Sequence, residues 1–379
     1  LSNYLNLDPS QIERLQKKIG NKDKNQFLFF RLMGPMLQKR IAELIDLEDI
    51  PKVFIHGNPH LDNYAKTFTG AGMVDFDRSR LGPYVWDIVR FYASLALRRE
   101  DGVKTKLPQS VYDAFIEGYL SRLYNSDLFY LTPALLSQSV PGAEELTTRA
   151  YLEANIKWAK KMKKNPVGEN DKKLMAILKG YLESRNDTFL LKKYSIASAG
   201  IVPGSLGKEH YIIVLTPNEN PEKYDDILID IKETYNEEDD EWFSNPAEHH
   251  GLRMIKASML YAPGVETRLG YCTYKAKQYW GREVPSFKAK LPQYLDKDDL
   301  HDVAYTVGTQ LGRGHRRSCK EFEPTLVEKH FLKNSKVIQD VSEFLNKELL
   351  LGYEFFEKSQ ELKNDFKKKV VRKFREASL

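Results

Sequence analysis

One stretch, residues 53–90, constrains the chain more than any other: VFIHGNPHLDNYAKTFTGAGMVDFDRSRLGPYVWDIVR. Val53-Phe54-Ile55 is a short apolar, β-favouring run that reads as a buried strand, and a second short strand is expected around Met73-Val74. The first run leads into His56, Asn58 and Asn63, and the second ends on Asp75-Phe76-Asp77. Two strand ends thus deliver amides and carboxylates together, and polar chemistry packed this way between apolar runs reads as a phosphotransfer site.

The spacing sharpens that reading. A kinase catalytic loop runs HxDxxxxN and is followed by an aspartate before an aromatic residue; the first Asp orients the substrate hydroxyl, and the Asn and second Asp hold magnesium. His56, Asn58, Asn63 and Asp75 fall on this frame, and the interval from Asn58 to Asn63 is the one it requires. One letter departs: the base position carries Asn58 where the frame has Asp.

On these residues the stretch resembles kinase-like phosphotransferases of the aminoglycoside and choline kinase type, whose HGDxHxxN is followed by an aspartate-aromatic pair. It resembles still more closely a bacterial family of unknown function with GDxHLxNF and DFDxxxxGPxxWDxxR, matched here by GNPHLDNY and DFDRSRLGPYVWDIVR. The likeness extends through FLFFR at residues 27–31, the glycine loop near Gly204 and a helix ending at His315, and so covers most of the chain. It implies catalytic roles for Asn58, His56 and His60, magnesium held by Asn63, Asp75 and Asp77, and ATP as the second cofactor. It also implies that Asp87 braces the catalytic loop by hydrogen bonds. It brings no substrate with it.

Composition narrows the class. At 379 residues and 43.9 kDa the chain exceeds one ordinary core, and 41% hydrophobic with 12% aromatic residues describes a folded protein. Fifty-eight Lys and Arg against 53 Asp and Glu leave +5, a mild excess that attracts phosphate-bearing ligands but falls far short of a nucleic-acid signature. Cys272 and Cys319 are too few for a disulfide framework, and no Cys/His cluster suggests zinc. Neither a run of about 18 apolar residues nor a leader-like N-terminus is visible. The expectation is a cytoplasmic protein without a membrane partner, although the first residue is Leu and the chain is open to upstream truncation.

Along the chain, helical periodicity is expected over residues 10–19, 25–45, 84–99, 111–124, 144–163 and 171–184. Near residue 190 the period changes to that of strands, at 190–197, 209–216, 227–233, 270–275 and 277–284, with a helix at 246–261 between the third and fourth. Helices return at 298–318 and 335–374. Between the first two strands lies AGIVPGSLG, residues 199–207. Such a loop is ordinarily a plain hairpin; in the sharper reading the backbone at Gly200, Gly204, Ser205 and Gly207 approaches a phosphate. Lys232 in ILIDIKE stands where a kinase strand lysine would reach the nucleotide. A glutamate on the following helix should pair with it, and only Glu248 offers itself. Arg31 reads either as a snorkelling side chain or as a phosphate contact, and His315 as a hydrogen-bonded core residue.

The fold expected is α+β, a protein-kinase-like two-lobe fold that is circularly permuted, since the catalytic-loop frame precedes the sheet. The division expected is an N-terminal helical segment (1–50), a helical catalytic lobe (51–190), a β-rich nucleotide lobe (191–290) and C-terminal helices (291–379). The function expected is an ATP- and magnesium-dependent phosphotransferase acting on a hydroxyl-bearing or protein substrate. The alternative is a nucleotide-binding pseudokinase serving as a regulatory or interaction module, because a neutral amide at Asn58 aligns a hydroxyl but cannot accept its proton.

Overall fold

A computed structural model describes residues 25–127, 131–202, 208–235, 238–318 and 324–376. The expected helix at 10–19, Gly204, Ser205, Gly207 and Cys319 lie outside the described residues. Within them the chain is mixed α+β with antiparallel sheets. It opens on α1 (Asn25–Leu32) and α2 (Gly34–Leu44), where the sequence pattern suggested one helix. The break falls at Met33-Gly34-Pro35, because Pro35 has no amide to donate and is tolerated only in a first turn.

Four short strands follow: β1 (Lys52–Ile55), β2 (Tyr64–Lys66), β3 (Ala71–Met73) and β4 (Arg80–Pro83). β1 pairs antiparallel with β4, from Lys52 opposite Pro83 to Ile55 opposite Arg80, while β2 pairs with β3, Tyr64 facing Met73. The connection from β1 to β2 and the connection from β3 to β4 are therefore clamped at both ends and run side by side.

The helices α3 (Val85–Ala96) and α4 (Gln109–Tyr124) come next, then α5 (Ala134–Ser137), α6 (Thr148–Ala154), α7 (Ile156–Lys164) and α8 (Lys172–Glu183). The run expected as one helix over 144–163 begins only at the Thr147 cap and breaks at Asn155. One further short helix, α9 (Leu190–Lys193), occupies the start of the segment expected as strand. Leu and Lys favour a helical turn, and the strand starts where Tyr-Ser-Ile supplies β-formers.

β5 (Tyr194–Ile201), β6 (His210–Pro217), β7 (Ile227–Glu233), β8 (Gly270–Tyr274) and β9 (Lys277–Glu283) form one antiparallel sheet in the order β5-β6-β7-β9-β8. α10 (His250–Tyr261) lies between β7 and β8 in sequence and starts later than expected, at a turn capped by the His249 ring. β10 (Ala289–Lys290) adds to β2, and α11 (Lys297–Ser318) and α12 (Pro324–Glu376) end the chain.

Burial divides these elements differently from the sequence pattern. One large core joins α1, α2, β1, α3 and α4 with Met254, Ala257 and Tyr261 of α10 and the inner faces of α11 and α12. α8, expected in the helical lobe, instead lays Leu174, Ile177, Leu178, Tyr181 and Leu182 on one face of the five-stranded sheet, against Ile229, Ile231 and Tyr279. Met162 of α7 covers part of the other face at Ile212, Val214 and Leu228.

Candidate active site

The two clamped connections carry the motif. Asn63 lies at the end of a 3-10 turn, Leu61–Asn63, and its carbonyl accepts from Val74 N–H at 2.8 Å. That bond continues the β2–β3 ladder by one rung and sets Asn63 opposite Val74, the residue before Asp75. Asp75 itself has φ 73°, a left-handed conformation that a non-glycine residue adopts only when its surroundings impose it. Gly57 also has positive φ, and a Cβ there would meet the Arg78 carbonyl oxygen at 1.9 Å, so no side chain fits where the two connections touch.

Asp87 holds the first connection from behind. Its carboxylate, fully buried at the start of α3, accepts from His56 N–H at 2.7 Å and Gly57 N–H at 2.9 Å, and from His315 Nε2 at 3.1 Å. Tyr119 OH reaches His315 Nδ1 at 2.7 Å, fixing the ring from the other side. Trp86 Nε1 donates to the Gly57 carbonyl at 3.0 Å. Asp87 thus braces the loop, and His315 at the end of α11 is a hydrogen-bonded core residue.

Position 58 has its own clamp. Arg90 Nε donates to Asn58 Oδ1 at 2.9 Å, and Asn63 Nδ2 donates to the Asn58 carbonyl at 3.1 Å. The Arg90 guanidinium lies over Phe30, 4.5 Å from the ring centroid. The amide of Asn58 is therefore a positioned, half-buried group rather than a freely rotating one.

His56 and His60 are both fully buried. The His56 ring packs 4.7 Å from Phe76 and 5.5 Å from Tyr261, and burial lowers its basicity. His60 stands edge-on to Phe27 and Phe30, and burial holds it well below the ordinary histidine range, with Arg31, Arg90 and Arg98 adding to the effect. Both histidines are enclosed in the core. Arg31 pairs with Asp62 at 3.1 Å, and Arg98 pairs with the same carboxylate at 2.7 Å, so the FLFFR arginine is tied to the loop by an ion pair.

The carboxylates of Asp75 and Asp77 make no hydrogen bond or ion pair with a described residue. Asp77 is pushed up to about 6, by burial first and by the adjacent Asp75 second, with Lys232, Arg253 and Arg282 pulling it back down. Two neighbouring carboxylates, one resisting ionisation, could hold a hard divalent cation, and Asn63, whose Nδ2 is spent on the Asn58 carbonyl, keeps its amide oxygen as a further candidate donor. Among the described residues no group of three or more His, Cys, Asp or Glu side chains could hold a metal. A cation here would draw its remaining ligands from phosphates and water, as magnesium usually does.

Lys232 bears on the same carboxylate. Its ammonium on β7 is close enough to Asp77 to lower that group, although the two residues belong to different sheets. Lys288, just before β10, is pushed down to about 7 by burial and by Arg282, Lys290 and Lys232, with Asp75 opposing. Lys232 and Arg282 of the five-stranded sheet thus act on Asp77, and Asp75 acts on Lys288. Glu248 does not pair with Lys232: it is exposed and precedes α10. Gly200 is a strand residue of β5, opposite Ile212, and a Cβ there would lie 2.7 Å from the Met162 backbone; its bareness admits α7.

Sequence reasoning missed Arg253. From α10 it donates to the Asp77 carbonyl at 3.0 Å, the Tyr235 carbonyl at 3.2 Å, the Ser79 hydroxyl at 3.3 Å and the Ser79 carbonyl. One buried side chain of α10 therefore grips the backbone of the connection from β3 to β4. Its presence in the place where an acidic residue was sought was the available signal.

No curated protein and no solved structure matches the chain. A family model described as an uncharacterized protein conserved in bacteria (DUF2252) matches residues 11–133 and 134–349, nearly the whole length, and the chain belongs to that family.

Proposed function

We propose that the protein binds ATP with magnesium between the five-stranded sheet and the clamped connections, and acts there as a phosphotransferase of permuted kinase-like architecture. The observation that carries this reading is that Lys232, from a distant strand, is near enough for its charge to act on Asp77, the carboxylate that also feels Asp75. They come from segments far apart in sequence, yet their approach is the one a kinase-like site requires. The order of elements supports it: a catalytic-loop frame with its two ladders comes first, then a hairpin, a strand lysine and a helix.

Each residue has a definable task. Asn63, Asp75 and Asp77 would hold the cation, which when bound neutralises charge on the phosphates. Lys232 supplies a fixed positive charge to the same phosphates. Asn58, held by Arg90, offers an amide oxygen that aligns an acceptor hydroxyl. Phosphoryl transfer depends mostly on positioning and charge neutralisation, so a site without a carboxylate base retains part of its power. The specific observation favouring the alternative, a nucleotide-binding module without turnover, is Asn58 itself.

Calorimetric titration with magnesium and ATP tests the reading. Binding is expected for the chain as it stands, with a loss of at least about tenfold in affinity for Asp75→Ala, as removal of a charge-assisted contact implies. No heat and no thermal shift with magnesium-ATP would refute it.

A further inference from the structure

We propose that Asp230, two residues before Lys232 on β7, is the carboxylate that positions the cleft lysine, a task that neither α10 nor any acid on it can perform. The inference rests on the nucleotide-site reading above and names the missing partner within it.

The sheet register sets up the arrangement. Asp230 and Lys232 are two positions apart, with Ile231 between them, and so point to the same face of β7. Arg282 of β9 is the cross-strand partner of Asp230, and His210 of β6 is the partner of Lys232, so all four side chains share that face. The carboxylate of Asp230 is 4% exposed. It lies 3.4 Å from Lys232 Nζ and 3.7 Å from Arg282 Nε, and contacts His210 Nε2 through its other oxygen. Arg282 continues to the buried Glu266, so the acid is held within a row of alternating charges rather than by Lys232 alone.

Burial alone would raise Asp230. Lys232 foremost, with His210 and Arg282, overcomes this and holds it well below the usual carboxylate range, so it stays ionised. A buried anion between Lys232, Arg282 and the His210 ring is a fixed point in the sheet, and the lysine beside it is one-third exposed, with Nζ held near the carboxylate and still open to solvent.

The helix offers no substitute. α10 reads HGLRMIKASMLY and contains no acidic residue, and its inward side chain, Arg253, is committed to the Asp77 and Ser79 backbone. With the lysine's partner on its own strand, the placement of Lys232 does not depend on where the helix sits. A device that disconnects the lysine by swinging a helix outward has nothing to act on in this chain.

A double-mutant cycle measured by calorimetry with magnesium-ATP tests the assignment, using the unaltered chain, Asp230→Asn, Lys232→Met and the double variant. Each single change is expected to weaken binding about 10- to 100-fold, as loss of a charge-assisted bond implies, and the double variant to bind no worse than the weaker single. A merely structural role for Asp230 would leave the two effects additive, and additivity overturns the proposal. So does Asp230→Asn binding as tightly as the unaltered chain while Lys232→Met does not; in that case the nucleotide site stands. Absence of binding by the unaltered chain removes both readings together. If Asp230→Asn does not fold, Asp230→Glu keeps the charge in the row and shifts the carboxylate by one methylene. It is expected to weaken binding several-fold, and unchanged affinity overturns the proposal.

Discussion

Asn58 and Asp77 are the residues at which chemistry and environment meet most directly. Arg90 Nε already donates to Asn58 Oδ1, so Asn58→Asp would set a carboxylate against a guanidinium that keeps it ionised and makes it a weak base. Restoring a base is expected to raise ADP release with magnesium-ATP, and the pairing with Arg90 puts the gain near the low end of the roughly 10²–10⁴-fold that a positioned base supplies. Background turnover by both forms, with ATP still bound, would favour the binding-module reading. Asp77 yields a pH signature. Its carboxyl titrates at about 6 in the folded protein, above the ordinary value of 3.8, so the folded state holds a proton that the unfolded state gives up. That contribution to stability is complete below about pH 4 and is lost as the pH rises through 6. Asp77→Asn should therefore raise the melting temperature at pH 7 relative to the unaltered chain and change it little at pH 4. In the unaltered protein, magnesium-ATP binding near pH 6 should release up to about half a proton from this group, measurable by calorimetry in buffers of different ionisation enthalpy. Equal proton release by Asp77→Asn would count against Asp77 as a cation ligand.

Among the elements, those with strong periodicity were legible. β7 agrees with its expected limits, and β6, β8, β9, α3 and α11 begin and end within a few residues of theirs, because alternating or four-spaced apolar residues specify both period and face. The small ladders were only half legible: β2, β4 and β10 have two to four residues, too few for a period, and exist because neighbouring strands complete them. In the candidate site, spacing singled out Asn63 and Asp75, and the bracing by Asp87 implied by resemblance is met by its bonds to the His56 and Gly57 amides. Asp230 was not, since a charge in an alternating strand reads as an exposed face until the sheet's cover is known. Arg253 was not legible either, since a basic residue in a helix gives no sign of the backbone carbonyls that it meets. Its role makes a prediction for α10: Arg253→Met should cost about 3 kcal/mol in denaturant unfolding, since a buried guanidinium with several charge-assisted acceptors is lost. The same variant should weaken magnesium-ATP binding, because the Asp77 backbone it holds would relax. Unchanged stability and affinity would show that the helix does not secure the site.

At the scale of the whole molecule, the proposed site draws on two separately organised parts. The large core fixes the clamped connections, and α8 on the back of the sheet fixes β7 and its lysine, while α10 contributes to the large core and also packs beside β8 and β9. A ligand spanning the cleft must therefore restrain both parts at once, whereas a ligand on either part alone would restrain one. Hydrogen exchange distinguishes these cases through slowly exchanging amides, whose opening reports local stability. With saturating magnesium-ATP, protection is expected to increase in residues 56–63 and 74–77 and also in Ile227–Glu233 of β7, by a factor that grows with ligand excess over its dissociation constant. Lys232→Met should reduce the protection on both sides together, since one bound ligand produces both. Protection limited to the loop residues would describe a cation site without a nucleotide between the parts, and protection limited to β7 would leave Asn63, Asp75 and Asp77 without a role in binding. Either result would separate the two halves that the proposed cleft joins.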